Sequence, residues 1–336
     1  MLLTRRALLK TCAAASLAFP VLPGLAQAQA TGLDAVREAA AGLEQLHSLI
    51  VLRDGAEALA MAPRGPGLDR IANVKSVSKT LIALLTGIAI ERGHLPGPDA
   101  RVLPLLGRAA AGDARDALTV GHLLSMQTGL TSTSGPNYGA WINSNDWVDY
   151  VLNGEPDGRP GGRFIYSTGG WHVLGAVLAR TTGRDLHALV RDWLAEPLGI
   201  SVPQWDRDPQ GLYLGGNQMG LTPRDLARVG EMVRQGGAWN GAQIVPATWI
   251  ETSWRPRARS PWSGDAYGYG WFLTRFAGRM AAYGRGYGGQ VLAVVPDAGL
   301  TIVITSDPNL PARTQGYFGE VLSLLDATVR ATDDAT

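Results

Sequence analysis

The chain has 336 residues, of which 46% are apolar and 18% charged, the make-up of a soluble globule large enough for one big domain or two lobes. Its 30 basic and 29 acidic residues nearly cancel, and no basic run is present to grip a phosphate backbone, so nucleic acid is not an expected partner. Cys12 is the only cysteine, so with the N-terminal segment removed the chain has neither a disulfide nor a thiol nucleophile.

Residues 1–30 read as an export address. Thr4-Arg5-Arg6-Ala7-Leu8-Leu9-Lys10 has the form of a twin-arginine motif, and an apolar stretch follows. Ala26-Gln27-Ala28 and Ala28-Gln29-Ala30 offer cleavage positions. The apolar run 13–25 is too short to span a bilayer and is broken by Pro20 and Pro23, so no stable membrane anchor is expected. The expectation is a protein handed to the twin-arginine export machinery already folded, working in the periplasm or beyond the cell.

Residues 33–46 suit an amphipathic helix. Residues 47–53 and 57–62 read as two strands around Asp54-Gly55, a strong hairpin signal. After a loop at 63–73 comes IANVKSVSKTLIALLTGIAIER, a helix apolar on nearly every face and therefore buried, closed by Gly93. Residues 96–264 change character: prolines and glycines punctuate short helical patterns at 119–127, from Thr168 or Gly169 to Gly183, at 185–195, from Thr222 and at 246–254. Strands return at 267–275, 279–286, 289–296 and 300–305, with Pro296-Asp297-Ala298-Gly299 as a turn, and a helix at 313–331 closes the chain. The pattern predicts an α+β fold. Residues 31–95 and 265–336 build an antiparallel sheet flanked by helices, and 96–264 form an inserted helical lobe.

The chemistry concentrates at the start of the buried helix, in Ser76-Val77-Ser78-Lys79. Residues three apart on a helix share a face, so Ser76 and Lys79 come within hydrogen-bond reach. A serine hydroxyl needs a base to take its proton, and a desolvated lysine can be one. Composition sharpens the point: the lysines are Lys10, Lys75 and Lys79, and every other basic residue is arginine, which does not deprotonate in a protein. A second piece is Tyr166-Ser167-Thr168, after a glycine-rich loop and before a helix. Beside a cationic lysine its phenolate would be favoured, fitting it to shuttle protons; on its own it reads as a packing aromatic.

These pieces, with HLLSMQTGL at 122–130, FIYST at 164–168 and YGYGW at 267–271, occur together in one order. The chain resembles the class C β-lactamase-related serine hydrolases, which include penicillin-binding peptidases, esterases and 6-aminohexanoate-dimer-type amide hydrolases. The likeness runs over about 43–305 and implies an antiparallel sheet flanked by helices with a helical lobe. It implies Ser76 as acylated nucleophile, Lys79 as its proton acceptor and Tyr166 as second proton shuttle. The family's third motif, Lys-Thr-Gly or His-x-Gly, matches Gly284-Arg285-Gly286 followed by Tyr287. The amides of Ser76 and Tyr287 would form an oxyanion hole. Two departures stand out: Thr168 replaces the asparagine of Tyr-x-Asn, and Gly284 replaces the Lys or His. The second counts against efficient β-lactam hydrolysis; Arg285 could supply charge, although strand neighbours point to opposite faces.

The reading is therefore a hydrolase of a small-molecule or peptide-like ester or amide, acting through an acyl-enzyme on Ser76 without a cofactor. The alternatives are a β-lactamase or D-amino-acid peptidase of the same family, and a non-catalytic exported binding relative. Gly284, Gly286 and Gly289 match a dinucleotide fingerprint only formally, because a strand and not a helix follows. The histidines show no metal spacing, and His122, His172 and His187 read as helix-packing residues. Trp141, Trp171, Trp205 and Trp262 are candidates to line a cleft.

Overall fold

The computed structural model describes residues 23–333. Residues 1–22, with the twin-arginine motif and Cys12, lie outside the described residues. Helix α1 runs Pro23–Gly42, so both Ala-x-Ala positions lie on a helix. It ends earlier than the predicted 46. Gln45 is drawn into the sheet end, where its carbonyl accepts from Asp307 N and its amide donates to the Gly288 and Leu310 carbonyls.

Strands β1 (Leu46–Arg53) and β2 (Ala56–Met61) form the predicted hairpin. Asp54 and Gly55 both have positive φ, 49° and 81°, as the tight turn matching strand twist requires. A two-residue strand β3 (Ala72–Asn73) precedes helix α2 (Ser78–Glu91), whose residues from Ser78 to Ala89 are all buried. Helix α3 (Thr168–Thr182) packs against α2. It closes at Gly183 in the left-handed conformation, φ 67°. Strand β4 (Gly220–Leu221) pairs antiparallel with β3, and helix α4 (Pro223–Arg234) follows, capped by the Thr222 hydroxyl with proline in its first turn. The main sheet is completed by β5 (Ala258–Arg259), β6 (Ala266–Tyr267), β7 (Phe272–Phe276), β8 (Arg279–Gly286), β9 (Gln290–Val295) and β10 (Leu300–Ser306), and helix α5 (Tyr317–Asp333) follows.

The main sheet has eight strands in the order β2-β1-β10-β9-β8-β7-β6-β5, joining both ends of the chain as an antiparallel α+β fold. One face carries α2 and α4: an ideal Cβ on Gly230 of α4 would lie 2.6 Å from Leu292 and Thr301, and one on Gly284 of β8 would lie 2.6 Å from Thr80 of α2. The other face carries α1 and α5, with Phe318 of α5 beside Tyr283 of β8.

Local predictions were adjusted by tertiary contacts. The segment 119–127 is a helix only over Val120–Leu124, because Met126 turns left-handed at φ 61° and passes its sulfur to Ser167 N. The predicted strand 267–275 divides at Gly268–Trp271, where Tyr269 N and Gly270 N bond to Ser253 and Leu124. Within the stretch 96–264, α4 lies on the sheet and β5 is its last strand.

Candidate active site

Three chain segments converge on Ser76. The first is its own turn. Pairing of β3 with β4 and the bond from Val74 N to Met219 O fix the approach. Lys75 then adopts φ 50°, a conformation that costs an L-residue roughly 1–3 kcal/mol and clusters at functional sites. Its amide donates to Asn73 Oδ1 (2.9 Å) and its carbonyl accepts from Ser78 Oγ (2.5 Å). Ser76 emerges half-buried on a 3₁₀ turn at the head of α2.

The second is Lys79, one turn on and 2% exposed. Its Nζ lies 2.7 Å from Ser76 Oγ, 2.7 Å from Gly216 O and 3.2 Å from Thr168 Oγ1. Burial holds this amine well below the usual lysine value of 10.5. A neutral amine has two N–H donors and one lone pair. Gly216 O and Thr168 Oγ1 take the donors, which leaves the lone pair to receive the Ser76 hydroxyl proton. Gly216 itself has φ 97°, and a Cβ there would lie 2.9 Å from Lys79 Cγ.

The third is the turn into α3. Tyr166 stands over Lys79, with Nζ 5.0 Å from the ring centre. Burial raises its phenol above the ordinary 10.0, while the Ser76 hydroxyl and the Arg285 charge pull the other way. The expectation of a lysine-stabilised phenolate is therefore reversed. The same burial that lowers the Lys79 pKa raises that of Tyr166, because both ionised forms lose their hydration. The α3 N-terminus is held by a hydroxyl run from a distant loop. Thr168 N donates to Ser134 Oγ (2.9 Å), Gly169 N donates to Thr133 Oγ1 (2.8 Å), and Ser132 Oγ donates to Tyr166 O (2.6 Å). Thr168 Oγ1 sits between Lys79 Nζ and Ser134 Oγ, 2.9 Å from the latter.

Strand β8 closes the far side. Gly284 and Gly286 face α2, with ideal Cβ positions 2.6 Å from Thr80 Oγ1 and 2.5 Å from Val74 O, so neither site has room for a side chain. Arg285 faces the other way. Its guanidinium lies 3.5 Å over the Phe318 ring and donates to Thr314 Oγ1 and the Ala312 carbonyl (3.1 Å each). It cannot stand in for a cation at position 284, yet it still reaches the cavity wall. That cavity, of about 960 Å³, opens over Ser76. Its wall includes Ser76, Tyr166, Thr168, Arg285, Gly286 and Tyr287, every sequence-predicted site residue except Lys79, which lies buried beneath it. Trp262, 63% exposed, and Tyr287, 53% exposed, flank the space. The other three tryptophan candidates are buried, Trp141 and Trp171 completely.

Sequence reading missed the loop 216–218 and the hydroxyl run 132–134. The signals were there: a Gly-Gly pair in LYLGGNQMG, and Thr-Ser-Thr-Ser directly after HLLSMQTGL. His172 is also more than packing. Completely buried, its Nε2 lies 3.0 Å from Asp208 Oδ2, and its Nδ1 receives Gly215 N at 3.4 Å, which steadies the residue before Gly216.

A family model described as Beta-lactamase matches residues 38–317. The chain belongs to the Beta-lactamase family. It is 25% identical over 288 residues to penicillin-binding protein 4 of Amycolatopsis lactamdurans, covering 73% of this chain and 75% of that protein. It is 28% identical over 226 residues to the 6-aminohexanoate-dimer hydrolase of Paenarthrobacter ureafaciens, covering 61% of this chain and 56% of that one. Among solved structures, the octameric penicillin-binding protein homologue of Pyrococcus abyssi superposes with a TM-score of 0.69 at 18% identity, over 88% of this chain and 77% of that one. Ser76, Lys79 and Tyr166, singled out in the sequence, are the residues that meet here.

Proposed function

We propose that this Beta-lactamase-family protein is a serine hydrolase that cleaves an ester or linear amide through an acyl-enzyme on Ser76. The observation that carries the reading is the placement of the buried, carboxylate-free Lys79 amine 2.7 Å from Ser76 Oγ. In the first step Lys79 Nζ takes the hydroxyl proton as Oγ bonds to the carbonyl carbon. The backbone amides of Ser76 and Tyr287 receive the developing oxyanion. Tyr166, protonated at rest, gives its proton to the leaving group as the carbonyl–heteroatom bond breaks, and the Lys79 ammonium restores it. Water then attacks the acyl group, and the same groups return their protons to Ser76.

Esters and linear amides are favoured over β-lactams. The strand position that carries a Lys or His in the resembling family is Gly284, and Thr80 leaves no space there for a side chain. The relative described as a 6-aminohexanoate-dimer hydrolase supports an amide or ester substrate. The twin-arginine motif supports export and action outside the cytoplasm.

The test is intact mass after exposure to a fluorophosphonate and, separately, to a β-lactam, with Ser76→Ala alongside. The expected result is one phosphonate adduct in the wild type and none in the variant. No adduct in the wild type would leave a binding protein as the better reading. A stable β-lactam adduct on Ser76 would move the substrate assignment to penicillin-like amides.

A further inference from the structure

We propose that Lys75 anchors an anionic group of the substrate, so that the preferred ester or amide carries a carboxylate near its scissile bond. This rests on the reading of Ser76 as the acylated nucleophile.

The backbone first makes Lys75 an unexpected residue. At φ 50° glycine is the natural occupant, and the main chain of this turn is held by Asn73 and Ser78 whichever side chain is present. A lysine there adds strain without adding to the turn. Lys75 and Lys79 are also the only lysines beyond residue 10 in a chain that otherwise uses arginine. Lys79 has its role as base; Lys75 has none in the chemistry so far.

The side chain is half-buried and lines the cavity beside Ser76. An ammonium has three N–H donors. One goes to Gln218 Oε1 at 3.0 Å. Asp206, the charge that acts on Lys75, is bridged to it by the same glutamine, whose Nε2 donates to Asp206 Oδ2 at 3.2 Å. Two donors are left for the cavity. Among the described residues no aspartate or glutamate lines that cavity, and its other cations are Arg285 and Arg313. Arg285 is turned to the opposite face of its strand, where two of its five N–H donors go to Thr314 and Ala312 and its face lies on Phe318. Arg313 is exposed, outside the buried ground where a charge pair counts most. Burial lowers the Lys75 pKa, and a bound carboxylate would offset that desolvation.

The test compares two p-nitrophenyl esters of equal chain length, the hexanoate and the mono-adipate, which differ in a terminal carboxylate. The quantity read is the ratio of kcat/KM for the anionic over the neutral ester, in wild type, Lys75→Gln, Lys75→Arg and Arg313→Gln. The expected result is a ratio lowered by about tenfold or more in Lys75→Gln, through KM, and largely kept in Lys75→Arg. Both Lys75 variants carry the same left-handed strain, so a folding defect does not separate them. An unchanged ratio in Lys75→Gln, or a loss confined to Arg313→Gln, overturns the proposal and leaves the hydrolase reading intact. Turnover of neither ester by the wild type overturns both.

Discussion

Replacing Lys79 by arginine keeps a cation in the site and removes a base, so it separates two roles that substitution by alanine would mix. The site offers Lys79 three oxygens, those of Ser76, Thr168 and Gly216, and no carboxylate. A neutral amine fits that set without a counter-ion. A guanidinium is always charged, and burying an unpaired charge costs several kcal/mol even after relaxation. General-base catalysis contributes roughly 10²- to 10⁴-fold, and Lys79→Arg loses all of it. The expected variant therefore turns over at least about 10²-fold more slowly and melts lower than wild type. Lys79→Met, similar in length and uncharged, should be as inactive. It leaves Gly216 O without its donor, a loss of about 1–3 kcal/mol, and so should melt above Lys79→Arg. The assay is ester turnover with fluorophosphonate labelling rate, paired with thermal denaturation. Turnover of Lys79→Arg within about tenfold of wild type would refute Lys79 as the proton acceptor.

Three further expectations rest on the same geometry. Acylation should rise as Lys79 loses its proton, at a pH well below 10.5, and should fall only when Tyr166 ionises, above 10.0; stopped-flow labelling across pH measures both limbs. Because the folded state binds the Lys79 proton less readily than the unfolded chain, the stability of wild type relative to Lys79→Met should increase with pH between those two proton affinities. Gly216→Ala should lower kcat by about tenfold or more and cost about 1–3 kcal/mol, since the new methyl would lie 2.7 Å from Trp171 Cβ and 2.9 Å from Lys79 Cγ at a φ of 97°; a variant with wild-type kcat would show that the Gly216 carbonyl does not position the base.

The sheet, the central helix and the Ser76–Lys79 pair were legible in the sequence because each is encoded locally. Asp54-Gly55 dictates its turn, the largely apolar run 80–90 dictates burial, and a three-residue spacing dictates a shared face. The hydroxyls that hold the start of α3 were not legible, because Ser132, Ser134 and Thr133 reach Tyr166, Thr168 and Gly169 across 34 to 36 residues of chain. Nothing in a hydroxyl run declares which distant helix it will cap. The division of the YGYGW segment has the same origin, since Ser253 and Leu124 take the backbone groups that a continuous strand would have used. Gly284 was legible as a departure, but its reason was not: Thr80 lies on a helix 204 residues away in sequence, and only packing brings it to within 2.6 Å of the missing Cβ.

The electrostatics carry the step that spacing alone missed. Sequence reading took Lys79 as a desolvated base, which its burial supports, but expected a lysine cation to favour a Tyr166 phenolate. In the folded chain both groups are buried, and desolvation penalises each ion. Burial thus shifts the pair in opposite senses, the amine towards accepting a proton and the phenol towards keeping one. No carboxylate is needed to tune them, because one would stabilise the ammonium and disarm the base. Arg285 stays compatible with this arrangement because its charge lies across the strand, where it pulls on the Tyr166 phenol and is held by Thr314, Ala312 and Phe318. Lysine rather than arginine at position 79 follows the same logic: a group that must lose its charge to work has to be lysine, and its surroundings have to be dry.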